Sequence, residues 1–193
     1  MDTDRTDDHL TAPEVEFTTS KVQHFERLLQ SALMQAEAGL ILTTHPYPTY
    51  EFLHYLVERH QLLLHGSNHG AISKFEPRRQ TDYEGRMITV VFAAEDAVAP
   101  MFYAILDRVN YRGSMRNTFK RLMDKSGFMQ SIYRFSIDAD SLARNPWIDG
   151  TVYAFSRQGF EPVVDEEGRP LLEWASLSAV TPKIRVRVTP SDF

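Results

Sequence analysis

The run Leu62-Leu63-Leu64-His65-Gly66-Ser67 is apolar until it ends in an imidazole, a residue with no side chain and a hydroxyl. A buried strand carrying these at its tip offers a polar ligand an imidazole, an uncrowded backbone and a hydroxyl side by side. Residues 65–67 are therefore the first candidate ligand site. Shortly after it, Phe75-Glu76-Pro77-Arg78-Arg79 brings two guanidinium groups together. Such groups either hold a phosphate bidentately or stand as ordinary surface charges. Several other chemistries lack their residues. The chain has no cysteine, which excludes disulfides, thiolate metal sites and a thiolate nucleophile. No Gly-Xaa-Ser-Xaa-Gly elbow, P-loop or dinucleotide fingerprint is present. His45, His54, His60, His65 and His69 do not repeat a recognised zinc-ligand spacing.

The elements that must position these groups follow from the pattern along the chain. With 193 residues, 42% hydrophobic and 24% charged, the sequence predicts one folded domain over residues 18–193. Residues 1–17 are expected as a flexible acidic tail, and without an apolar segment behind it this N-terminus does not read as a secretory signal. No apolar run is long enough to span a bilayer; with the missing cysteines, this predicts a cytoplasmic protein making no membrane contact. A net charge of −5 argues against a nucleic-acid footprint over the whole surface.

Ser20 and Gln23 read as a capping box before Val22, Phe25, Leu28, Leu29, Leu33 and Met34, which recur at helical spacing until Gly39. A second helix is predicted from Thr49 through Phe52, Leu53, Tyr55 and Leu56, leading into the Leu62–Leu64 strand. Residues 68–85 read as a long ordered loop and 87–94 as a buried strand, after which Glu95-Asp96 opens a helix through Met101, Phe102, Ile105 and Leu106. Arg108, Arg112, Arg116 and Lys120, with Arg121 and Lys125 nearby, would line one face of a continuous helix; Gly113, Asp107 and Asp124 interrupt and dilute that stripe, so it reads as a solvated face. From Gln130 the period shortens, and strands are predicted over 131–137, 151–157, 171–177 and 183–189. Helices first and antiparallel strands afterwards make an α+β domain.

Three distant segments then read together: His65-Gly66-Ser67; Phe92-Ala93-Ala94 leading into Ala99–Tyr103; and Leu172-Glu173-Trp174, with Val180 seven residues beyond the glutamate. In this order the chain, over about residues 62–189, resembles the ADP-ribosyltransferase superfamily on the branch of diphtheria toxin and the poly(ADP-ribose) polymerases. That resemblance implies a split antiparallel core of two sheets around a cleft for NAD, which is a substrate there. The implied activity is transfer of ADP-ribose to an unknown protein or nucleic-acid acceptor, or hydrolysis of NAD. It assigns Glu173 to the catalytic carboxylate and His65 to the adenosine ribose. The Gly66 backbone would read the nicotinamide amide, Ser67 would support the loop or His65, and Arg78 would meet the pyrophosphate. An aromatic ring would stack on the nicotinamide, with Phe92 paired with Tyr103 or Val91 paired with Phe102.

The chain departs from the family at two points. Phe92 or Val91 stands where a tyrosine is common, and Ala99 or Pro100 where a small hydroxyl residue often meets the amide. These departures favour one alternative, a nucleotide- or ADP-ribose-binding or protein-interaction module without turnover; a second, a 2'-phosphotransferase acting on RNA, is implied because such enzymes share the resembled fold and also consume NAD. From the residues alone, Glu173 also reads as a solvent-facing strand residue between a core-facing Leu172 and Trp174.

Overall fold

The computed structural model describes residues 10–35, 39–41, 46–82, 84–111, 113, 115, 117–123 and 129–193. Among them the chain is a mixed α+β protein with four α-helices and a largely antiparallel sheet. The elements are, in order, β1 (Leu10–Thr11), α1 (Thr19–Leu33), β2 (Gly39–Ile41), α2 (Thr49–His60), β3 (Leu63–Ser67), β4 (Arg78–Thr81), β5 (Met87–Ala94), α3 (Val98–Ile105), β6 (Thr118–Met123), β7 (Met129–Arg134), α4 (Ala139–Ala143), β8 (Gly150–Phe155), β9 (Glu161–Val164), β10 (Pro170–Ser176) and β11 (Ile184–Val188). The larger sheet runs β2-β11-β8-β3-β5-β10-β9 with β4 on β5, and β1-β7-β6 form a smaller one. Among the described residues only β2 and β11 pair in parallel. No helix among the described residues is long and apolar enough to cross a membrane.

Adjacent residues of a strand point to opposite faces, so the leucine run feeds two cores. Leu64 joins Phe25, Phe52, Leu56, Met101, Val152 and Val186 in the larger one, whereas Leu63 joins Phe75, Val91, Tyr153, Phe155 and Phe160 in the other. Each such side chain contributes about 1.5–3 kcal/mol by leaving water. Helix α3 lies directly on the sheet because two glycines let it. A Cβ on Gly66 would meet the Pro100 carbonyl oxygen at 1.9 Å, and one on Gly150 the Ala104 carbonyl oxygen at 1.9 Å. The crowding that keeps a side chain off Gly66 thus comes from α3.

Several expectations are corrected. Strands occur among the helices from the start, so the order is not helices first. Residues 10–17 are not a loose tail: β1 pairs with β7, Ala12, Val15 and Phe17 pack on the larger core, and the Tyr50 hydroxyl donates to the Pro13 carbonyl at 3.2 Å. Residues 1–9 lie outside the described residues. The cap of α1 is Thr18, whose hydroxyl accepts the Lys21 amide at 3.4 Å, so Ser20 sits inside the helix. Gly39 opens β2 instead of ending α1, at a point where a Cβ would meet the Ala32 carbonyl oxygen at 2.2 Å.

The loop expected over 68–85 contains β4, which pairs with β5 from Arg78↔Val90 to Thr81↔Met87. Arg-Arg-Gln-Thr buries no apolar face, so no hydrophobic period marked it. The basic stripe is not on one helix, since α3 ends at Ile105 and 118–123 is a strand. Arg112, Arg116 and Lys125 lie outside the described residues.

Candidate functional site

Strand β3 keeps a full ladder with β8 over five residue pairs, Leu63↔Phe155 to Ser67↔Thr151, but meets β5 at the single pair Leu64↔Ala94. Beyond that pair the two strands part. The His65 side chain spans the parting, with Nδ1 2.7 Å from the Phe92 carbonyl oxygen. A cleft of about 730 Å³ opens there, within the usual range for small-molecule sites. Its walls include His65, Gly66, Ser67, Arg78, Phe92, Tyr103 and Glu173.

A carbonyl only accepts, so Nδ1 of His65 carries the proton and Nε2 is left as an acceptor. No protein group meets Nε2 among the described residues. Burial pushes the His65 pKa down; the Phe92 carbonyl opposes this, and the positive charges of Arg78 and Arg108 add to it. The ring is steadied by the Phe75 ring at 5.0 Å. Ser67 supports the loop: its hydroxyl accepts the His69 amide at 3.2 Å.

The two candidate aromatic registers are separated by the fold. Phe102 is 1% exposed and stacks on Phe135 with ring centroids 4.1 Å apart, so it belongs to the interior and not to the cleft. Val91 is 3% exposed within the smaller core. One residue on from Phe102 along the helix, Tyr103 lines the cleft, as Phe92 does. The Tyr103 hydroxyl accepts a hydrogen bond from Asn117 Nδ2 at 3.0 Å. Burial raises its pKa; the Asn117 bond acts against that, and the nearby Glu173 carboxylate with it.

Glu173 stands across β5 from the His65 strand, in the row Leu64–Ala94–Glu173. The strict alternation that would have turned it to solvent is broken by a register shift in β10 between Pro170 and Trp174. Leu172 therefore enters the larger core while Trp174 packs against the smaller one. Burial raises the Glu173 pKa, and the negative charge of Asp82 adds to the effect. No hydrogen-bond or ion-pair partner meets its carboxylate among the described residues. Nearby Glu95 is fully occupied, by Arg157 at 3.0 Å, Arg121 at 3.2 Å and the Trp174 indole N–H at 3.1 Å.

The structure adds Asn68 and Arg108 to the cleft. Asn68 donates from Nδ2 to the Ala104 carbonyl at 2.7 Å and accepts the Arg108 amide at 3.0 Å, so it latches the end of α3 to β3. Arg108, expected on a solvated face, lines the cleft with its guanidinium 5.8 Å from the Tyr103 ring centroid. The sequence signal for Asn68 is its proximity to His65-Gly66-Ser67, and for Arg108 its place at the head of the basic stripe.

Ala99 and Pro100, both buried, bring no hydroxyl to the cleft wall. The histidines are scattered: His60 Nε2 meets Glu26 at 3.0 Å, and His54 stacks on Tyr50 and Phe17. Among the described residues no three His, Cys, Asp or Glu converge as a metal site would require, and His45 lies outside them. No protein-family model, curated protein or solved structure matches this chain.

Proposed function

We propose that this cleft binds NAD and breaks the bond between nicotinamide and ribose, passing the ADP-ribosyl group to an acceptor or to water. One observation carries the reading: among the described residues Glu173 is a half-buried carboxylate without a protein partner, in the same cleft as a His65 nitrogen that no described group meets and as the Tyr103 ring. A desolvated carboxylate left unpaired costs stability, so its retention in a cleft points to a partner supplied by a ligand.

In the reaction the carbon–nitrogen bond breaks with its electron pair leaving on nicotinamide, and positive charge builds on the ribose ring. Ionised Glu173 would accept a ribose hydroxyl and face that charge; a preorganised group of this kind is worth about 10²–10³ in rate. His65 Nε2 would accept a hydroxyl of the second ribose, and Tyr103 with Phe92 would sandwich the flat amide ring, restricting its orientation. The test is titration calorimetry with NAD, together with nicotinamide release by the wild type and by Glu173→Gln. Folded wild-type protein that neither binds NAD nor releases nicotinamide removes the reading.

A second reading, binding of NAD or ADP-ribose without turnover, is favoured by Phe92, Ala99 and Pro100, which supply no hydroxyl to the ligand. Binding without release, unaffected by Glu173→Gln, selects it.

A further inference from the structure

We infer that the Tyr103 hydroxyl donates a hydrogen bond to the ligand, so that one ribose hydroxyl accepts from Tyr103 while it donates to Glu173; this names a specificity contact of the site proposed above and rests on that reading. The direction of the Tyr103 bond follows from groups whose roles are fixed. Asn117 stands just before β6 and Ser136 shortly after β7, at the end of the ladder where Thr118 pairs with Arg134. The Ser136 backbone amide can only donate, and it meets Asn117 Oδ1 at 3.2 Å. The other end of that side chain, Nδ2, therefore faces Tyr103 and donates to its hydroxyl oxygen at 3.0 Å. The Tyr103 proton is left for another acceptor, and no group among the described residues takes it.

Tyr103 lies four residues beyond Ala99 on α3, so the two share a helix face, and both line the cleft. The wall that lacks a hydroxyl at Ala99 and Pro100 thus receives one from Tyr103. Its ring is held edge-on to Phe119, with centroids 6.1 Å apart, and the Arg108 guanidinium lies 5.8 Å from its centroid. Burial raises its pKa, so the phenol keeps its proton at neutral pH; the Asn117 bond acts against this and the nearby Glu173 carboxylate with it. An ionised carboxylate only accepts, whereas this phenol has a proton to give. A ligand hydroxyl does both and fits between them; a carbonyl would satisfy Tyr103 alone and an ammonium Glu173 alone. Leaving either group unpaired in a desolvated cleft is costly, which turns the match into discrimination.

The contact is tested on the full chain by calorimetry with NAD and with NAD lacking the 2'- or the 3'-hydroxyl of the nicotinamide ribose. Tyr103→Phe keeps the ring and removes only the donor, and should weaken NAD about fivefold. Asn117→Asp keeps an acceptor for the Ser136 amide but turns the neighbour of Tyr103 into an acceptor as well, which draws the phenol proton away from the ligand. It should weaken NAD by a similar factor, and the double variant should bind no more weakly than either single variant. The wild-type preference for NAD over one of the two deoxy forms should shrink about fivefold in Tyr103→Phe. Circular dichroism checks that the variants keep the fold. Three results would overturn the donor while leaving NAD binding by the wild type in place: equal NAD affinity in wild type and Tyr103→Phe, a double variant weakened by the product of the single effects, or a hydroxyl preference that Tyr103→Phe leaves unchanged. Folded wild type that binds no NAD removes the reading above, and this contact with it.

Discussion

Asp96 and Glu173 stand at neighbouring positions around the end of β5, and burial raises the pKa of both. Asp96 is 8% exposed and satisfied: it accepts the Tyr133 hydroxyl and the Ala99 amide, the latter at 2.7 Å, so it ties the start of α3 to the smaller sheet. Glu173, half-buried, is also desolvated, but with no donor among the described residues. On the proposed function, the difference separates a structural carboxylate from a functional one. Desolvation alone marks neither; the inventory of donors around the buried oxygen does.

Substitution at each carboxylate puts that contrast at risk. Asp96→Ala removes a helix cap and strands the Tyr133 hydroxyl, so chemical denaturation should show a loss of about 1–3 kcal/mol. Stability unchanged would mean that Asp96 is not the structural member of the pair. Tyr103→Ala removes an aromatic ring from the cleft wall and should weaken NAD about tenfold by calorimetry, whereas the interior residue Phe102 should show its effect in stability instead. NAD affinity unmoved by Tyr103→Ala would put the stacking ring elsewhere.

The depressed pKa of His65 gives a smaller, pH-dependent effect. The folded state takes up this proton less readily than the unfolded chain, so the contribution is present above the ordinary value of 6.5 and is lost as pH falls through the lower folded value. Thermal melts should therefore lose stability below pH 6.5. The slope should shrink in His65→Asn, leaving the part due to His54, which burial also holds down. A slope identical in wild type and His65→Asn would show that His65 is not desolvated.

The smallest effect has the opposite sign to that at Asp96. Because the folded-state pKa of Glu173 is raised, its ionised form opposes folding. Glu173→Gln should raise the melting temperature slightly at neutral pH, and the gain should fade as pH drops through the raised value towards the ordinary 4.5. A lower melting temperature would mean that the carboxylate has structural partners.

What the sequence disclosed follows the strength of its periods. Helix α2 begins at Thr49 as its apolar spacing predicts, and the alternation of Ile184, Val186 and Val188 reads directly as the buried face of β11. Leu172, Glu173 and Trp174 were harder, because a register shift in β10 overrides the alternation that would have sent Glu173 to solvent. Strand β4 is polar throughout, and its pairing with β5 comes from backbone hydrogen bonding that no residue pattern records. His65 and Glu173 were legible as types. Their meeting in one cleft depends on β3 and β5 sharing a single residue pair, and the roles of Asn68 and Arg108 depend on where α3 ends. Gly66 looked like a ligand position by composition, whereas its missing side chain makes room for α3.

The most direct test of the account is nicotinamide release from NAD by wild type and Glu173→Gln, with NAD affinity measured on both. The account predicts release by the wild type and a loss of about 10²–10³ in rate in the variant, with NAD affinity changed far less. Equal release by the two folded proteins would contradict it.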